Sequence, residues 1–243
     1  MGTKRMPERR YSVAELFRDY AAHKAREEWR TEWGVALLYR PLSILMAPPF
    51  LWLGVSATAV TSLSLLLTPA LPLLAVMAGP NAFVAVGLLA ILILTLDCLD
   101  GTIARARNTV SRFGHYLDFM TDVVTRCALY GAIGLMARAM APDMLQGWAL
   151  PLALLAALLA IAARLCRIYA ERFVGEAYGQ SQAGGGRGIL DLAFSLVSGI
   201  DQLLPLAVLA LGVSGQLGWL VLWLVAYSAL DFVYTQFAVL RRL

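Results

Sequence analysis

Four aspartates have types and spacing suited to chemistry. Asp97 and Asp100 are three residues apart, and Asp118 and Asp122 are four apart, so on helices each pair shares one face. Both pairs stand in long apolar stretches, where ionisable residues are rare and usually carry function. Two antiparallel helices turning near Thr109 would bring Asp97 level with Asp122 and Asp100 level with Asp118, with Gly114 opposite Arg105. At a rise of 1.5 Å per residue, the carboxylates would lie roughly 12–20 Å along the helices from that turn. Four ionised carboxylates cannot share a low dielectric without compensation. Two divalent cations would neutralise them. An all-oxygen ligand set favours a hard ion, Mg²⁺ or Mn²⁺, and a pair of such ions suits in-line displacement at a phosphate. Gly101 leaves the backbone open to a ligand, and Arg105 can hold a diphosphate.

The elements that must position these residues are membrane helices. The chain has 243 residues, of which 60 % are hydrophobic and 15 % charged. A soluble domain is roughly 45–50 % apolar, so an all-α integral membrane protein is expected. Six spans are predicted at about 59–78, 82–107, 112–137, 148–172, 190–212 and 217–240, each near the twenty residues or so that cross a bilayer. Turn residues separate them: Gly79-Pro80-Asn81, Asn108-Thr109, Pro142-Asp143, Gly184-Gly185-Gly186 and Ser214-Gly215. Residues 11–33 mix charge with Leu16, Phe17, Tyr20, Trp29 and Trp33 and predict an amphipathic helix on the membrane surface. Residues 40–54 are apolar but short and contain Pro48 and Pro49, which predicts a second interfacial segment and not a span. The expected division is an interfacial N-terminal segment, 1–58, and a six-helix transmembrane catalytic domain, 59–243.

Charge sets the expected orientation. Six spans leave both termini on one side. Loops on that side hold Arg105, Arg107, Arg112, Arg172, Arg187, Arg241 and Arg242, and the opposite loops hold only Arg138. Cytoplasmic loops carry the excess of Lys and Arg, so both termini and the acid cluster are expected on the cytoplasmic side of a multi-pass cell-membrane protein. The N-terminal forty residues carry nine of the twenty Lys and Arg residues and lack the apolar core of a secretory signal. Cys98, Cys127 and Cys166 all lie in apolar runs and are expected to be small buried hydrophobes.

The string Asp97-x2-Asp100-Gly101-x2-Ala104-Arg105-x8-Gly114-x3-Asp118-x3-Asp122 resembles the complete signature of the CDP-alcohol phosphotransferase family. A chance match at all eight positions is on the order of 10⁻¹⁰ per start point at average residue frequencies. The plan of an interfacial N-terminal helix followed by six spans is similar too. The resemblance implies that Asp97, Asp100 and Asp118 hold two divalent metals, and that Asp122 completes the metal site and acts as base on an acceptor hydroxyl. It implies that Gly101, Ala104, Arg105 and Gly114 join those acids around a cytidine diphosphate donor, and that the protein is a homodimer. The first span departs from the family pattern: Ser56-Ala57-Thr58-Ala59-Val60-Thr61 keeps the Thr and lacks the preceding Pro-Asn pair.

Other charged residues have two readings each. Arg126 can offset a buried acid or contact the acceptor. Arg164 and Arg167 share a face of the fourth span, and can snorkel to the headgroups or bind an anionic acceptor. Asp201 and Asp231 match no part of the signature, so packing or a dimer contact is expected of them. His115 is expected to be an interfacial residue and no ligand, and the Gly184–Gly186 loop with Arg187 lacks the features of a phosphate loop.

The expected function is transfer of a phospho-alcohol group from a CDP-linked donor, CDP-diacylglycerol, to a small alcohol, phosphorylated or not, with release of CMP, in membrane-lipid synthesis. Membrane lipids are the expected surroundings, and no nucleic acid is expected as a partner. A soluble CDP-alcohol donor with a lipid acceptor is the alternative within that class. A cation or proton transporter is the alternative outside it, since buried acids also line ion pathways. A transporter would need no Gly101-x2-Ala104-Arg105 element and would carry acids in both membrane halves of the same helices.

Overall fold

The computed structural model describes residues 12–140, 145, 147–173 and 197–241, which contain helices and no strand. The turns expected at Pro142-Asp143 and Gly184–Gly186, and residues 190–196 of the fifth expected span, lie outside them. Near the N-terminus the amphipathic stretch folds as two helices, α1 (Val13–His23) and α2 (Ala25–Thr31). Ser12 starts α1 through a reciprocal cap: its hydroxyl accepts from the Glu15 amide at 3.2 Å, and its own amide donates to the Glu15 carboxylate at 3.1 Å. Leu16 on α1 is buried, while Phe17 and, on α2, Trp29 are exposed.

The next segment differs from expectation. A π-helical turn, Val35–Tyr39, runs directly into α3 (Arg40–Trp52), and the joined helix continues through Pro48 and Pro49. The eighteen residues Val35–Trp52 are long and apolar enough to cross a membrane. Where an interfacial piece is expected, length and composition thus allow a span, for two reasons. Val35–Tyr39 extends the apolar run, and prolines within a membrane helix are tolerated where neighbours re-satisfy the freed backbone groups. Arg107 reaches across to the end of α3, donating to the Leu51 and Val55 carbonyls at 2.8 and 2.7 Å.

The first predicted span is α4 (Ala57–Leu67) and α5 (Ala70–Met77), divided at Thr68-Pro69. The signature helices follow: α6 (Ala82–Arg107) and α7 (Arg112–Met140). Asn108 ends α6 in the left-handed conformation, φ 52°. Ser111 opens α7, its hydroxyl accepting from the Gly114 amide at 3.0 Å. Then come α8 (Ala149–Phe173), α9 (Leu204–Val213) and α10 (Leu217–Leu240). Six helices among the described residues qualify as membrane spans, so the protein is an all-α integral membrane protein. Their membership differs from expectation: Val35–Trp52 enters the set, and of the expected span 190–212 the described part includes the shorter apolar helix Leu204–Val213.

Two apolar clusters hold this arrangement, one at each end of α6. The larger joins α5 and the start of α6 to the second half of α7 and to α8, α9 and α10. The smaller puts Leu96, Leu99 and Ile103 of α6 against Leu16 of α1, Ile44, Ala47 and Leu51 of α3, and Val60 of α4. Leu96, Leu99 and Ile103 form one helical stripe, so the same turns that carry Asp97 and Asp100 are anchored from behind.

Candidate active site

The acid pairs open onto a cavity of about 490 Å³ that also receives α3, α4, α8 and residues from 201 to 205. Helices α6 and α7 bring the two acid pairs together because the short connection after Asn108 makes them antiparallel neighbours. Asp97, Asp100 and Asp118 each present a carboxylate oxygen within 4.8 Å of the others. Asp100 is buried, Asp97 is half-buried and Asp118 is exposed. Thr61 of α4 donates to Asp100 at 2.5 Å, so the one threonine that the variant first-span sequence keeps is a partner of the cluster.

Asp122 stands on the same cavity wall but outside that triad. Its carboxylate meets Arg164 of α8 at 2.5 Å and Arg126, one turn further along α7, at 3.9 Å. Sequence spacing predicts two layers of two acids. The structure instead gathers three acids and sets the fourth against arginines. Arg126 also reaches Asp201 at 3.5 Å. Arg126, Tyr130, Asp201 and Gln202 form the far end of the cavity.

The other predicted residues divide. Gly101, Ala104, Arg105, Gly114, Arg126 and Arg164 all line the cavity. The Arg105 guanidinium folds back over Gly101, so a Cβ there would sit 3.3 Å from its Nη1. His115 lines the cavity near Asp118. Arg167 does not line it. Its guanidinium forms a two-pronged pair with Asp231 of α10, at 2.6 and 3.2 Å, and also donates to Thr235 at 2.9 Å. Asp231 is therefore a packing partner, whereas Asp201 is a cavity residue.

Sequence reasoning missed Arg40, Tyr130 and Gln202, which all line the cavity. Arg40 had a signal, being a charge at the head of an otherwise apolar run. Tyr130 and Gln202 had none, since each is an ordinary residue until folding brings α7 and residues 201–205 together.

The donor chemistry fits a divalent cation. Three carboxylate oxygens converge at ligand spacing beside a ligand-sized cavity, a costly arrangement among apolar helices without a positive charge at its centre. An all-oxygen set of this kind suits a hard ion. Arg105 at the mouth adds a fixed cation suited to phosphate oxygens.

Comparison with known proteins places these features in one family. No curated protein and no solved structure matches the chain. The family model for CDP-alcohol phosphatidyltransferases matches residues 54–230, more than two-thirds of the sequence, from the end of α3 into α10. With that match and the acid pairs brought to one cavity, the chain belongs to the CDP-alcohol phosphatidyltransferase family.

Proposed function

We propose that the protein transfers a phosphatidyl group from CDP-diacylglycerol to a small alcohol, releasing CMP, as a step of membrane-lipid synthesis. The convergence of Asp97, Asp100 and Asp118 in a cavity shared with Arg105 carries this reading. Those three aspartates would hold two divalent cations, Mg²⁺ or Mn²⁺, with Asp122 completing the set. When bound, the cations supply charge neutralisation for the diphosphate and for the developing negative charge on the transferred phosphoryl group.

The chain's own residues do the rest. Arg105, with Gly101 and Ala104 leaving room at the helix surface and Gly114 facing them, orients the diphosphate. Asp122 takes the proton of the acceptor hydroxyl. The hydroxyl oxygen forms the new bond to phosphorus, the bond from phosphorus to the CMP oxygen breaks, and CMP leaves with that electron pair. The far end of the cavity is the acceptor pocket, with Arg126, Tyr130 and Asp201 orienting the alcohol and Arg164 holding Asp122 in place. Both termini and the cavity mouth face the cytoplasm, in keeping with the Arg-rich loops on that side. The catalytic unit is the 59–243 bundle; the segment 1–58 lies at the interface, its helix Val35–Trp52 packed along the Leu96–Ile103 turns of α6 without crossing the bilayer, and the working form is a homodimer in the cell membrane.

The test is CMP release by purified protein given Mn²⁺ and a panel of CDP-linked donors and alcohols. CMP should appear with CDP-diacylglycerol and at least one small alcohol, and stop in excess EDTA. Release only with a soluble CDP-alcohol and a lipid acceptor would reverse the donor assignment. Full release after metal stripping would overturn the metal reading.

A further inference from the structure

A second buried polar network adjoins the acid cluster, and its Arg40 also lines the cavity. Glu28 of α2 and Arg40 at the head of α3 are both buried, at 1 % and 4 % exposure. They pair through both prongs of the guanidinium: Nε donates to Glu28 Oε2 at 3.0 Å, and Nη2 makes a shorter contact with Oε1. Lys24 Nζ approaches the same carboxylate at 3.0 Å, and the Tyr20 ring lies 5.6 Å from the guanidinium carbon. Burial alone would push the Glu28 carboxyl up, but the bonds and charges of Arg40 and Lys24 outweigh it and hold the group below its ordinary value.

The remaining nitrogen of Arg40 faces α6. Its Nη1 donates to the Cys98 carbonyl at 3.0 Å and approaches the Thr102 hydroxyl at 3.3 Å, while that hydroxyl donates to the same carbonyl at 2.9 Å. Cys98 directly follows Asp97 and lies two residues before Asp100. The turn bearing both acids is thus held through the Cys98 carbonyl by a side chain whose orientation is set by the N-terminal segment. A buried ion pair contributes little net stability compared with apolar residues of the same shape, so stability alone does not account for this one. What it adds is direction: a bidentate carboxylate fixes the plane of a guanidinium.

We propose that Arg40, aimed by Glu28, is a positioning residue that fixes the Asp97–Asp100 turn in its cation-binding geometry. Both residues precede the part of the chain that matches the family, which begins at residue 54. The N-terminal segment thereby becomes part of the site's framework as well as a membrane-surface element. The inference rests on the reading that Asp97, Asp100 and Asp118 hold the cation.

The test uses the full-length protein and two readouts, Mn²⁺ affinity without substrate and amide hydrogen exchange across residues 96–104. The paired replacement Glu28→Leu with Arg40→Met removes both charges and leaves neither stranded. It should keep the thermal midpoint near wild type, weaken Mn²⁺ binding about tenfold and speed exchange in the 96–104 peptide. The reversed pair, Glu28→Arg with Arg40→Glu, restores an ion pair but sets a carboxylate against the Cys98 carbonyl, and Mn²⁺ affinity should stay low. Arg40→Lys keeps the charge and loses the planar fork. It should weaken Mn²⁺ binding a few-fold, and it decides the matter where a double variant does not fold. Unchanged affinity and exchange in the apolar pair, or recovery of Mn²⁺ binding in the reversed pair, would overturn the proposal by making the pair a simple latch. Absence of Mn²⁺ binding in wild type would refute the metal reading alone, and the exchange measurement would still decide the positioning role.

Discussion

The two halves of α7 live under opposite rules. Its first half carries Asp118, Asp122 and Arg126 and lies half-open to the cavity. Its second half, Leu129–Ala137, is mostly buried and packs with α8 through small residues, among them Ala149, Ala153 and Ala156. Membrane helices gain no hydrophobic drive from meeting one another, so close backbone approach through small side chains holds such an interface. Charges crowded in the first half work against folding. One helix therefore divides into a part selected for chemistry at a cost in stability and a part selected for packing. Substitutions in the two halves should separate activity from stability.

The largest expected effect is at the triad, shared by the first half of α7 and the facing turns of α6. Asp97→Asn and Asp118→Asn each remove a ligand charge and should abolish CMP release while leaving the thermal midpoint unchanged or raised, since one like-charge repulsion disappears. Wild-type rates in both variants would mean that the triad is not the reaction centre. A thermal midpoint several degrees lower would mean that these acids serve packing, and the contrast along α7 would fail.

Asp122→Asn should be next in size. Asp122 lies outside the triad, beside Arg164 and Arg126, so its replacement disturbs the proposed ligand set least and isolates its role as base. The amide keeps its shape but accepts no proton, so donor binding should survive while transfer slows about a hundredfold, the scale of general-base loss. Isothermal titration with donor and Mn²⁺, run beside the rate assay, checks both parts. Donor binding lost together with turnover would make Asp122 chiefly a metal ligand.

These contrasts show which features were legible in the sequence. The helical membrane class, the signature pairs and their shared cavity could all be read, because helical period, apolar run length and residue spacing are local properties of the chain. The grouping of Asp122 with Arg164 could not, since it depends on how α8 rotates against α7. Arg164 and Arg167 illustrate the same limit: three residues apart, they look alike in sequence, yet one meets Asp122 and the other closes on Asp231 and Thr235. The continuous helix Val35–Trp52 was obscured by Pro48-Pro49, whose local rule gives way to the surrounding bundle.

The smallest and sharpest test lies in the packed half of α7, at Gly131 and Gly134. Both are helical, and alanine should favour the helix at each by about 0.5–1 kcal/mol, since glycine loses more backbone freedom on folding. Their surroundings differ. A Cβ on Gly131 would meet nothing within 4 Å, whereas one on Gly134 would lie 2.7 Å from the Ala153 Cβ, 3.0 Å from the Leu150 Cα and 3.2 Å from the Ala149 carbonyl oxygen. Two of those three atoms are backbone, so α8 itself would have to move, and forcing a methyl into such a contact costs about 1–3 kcal/mol. Gly131→Ala should therefore raise the thermal midpoint and Gly134→Ala should lower it. Both should leave Mn²⁺ affinity at wild-type level, because neither residue touches the cavity. Equal shifts of the same sign would show that the α7–α8 contact yields freely. A change in Mn²⁺ affinity from Gly134→Ala would show that packing strain reaches the acids along the helix, and that its two halves are not separable.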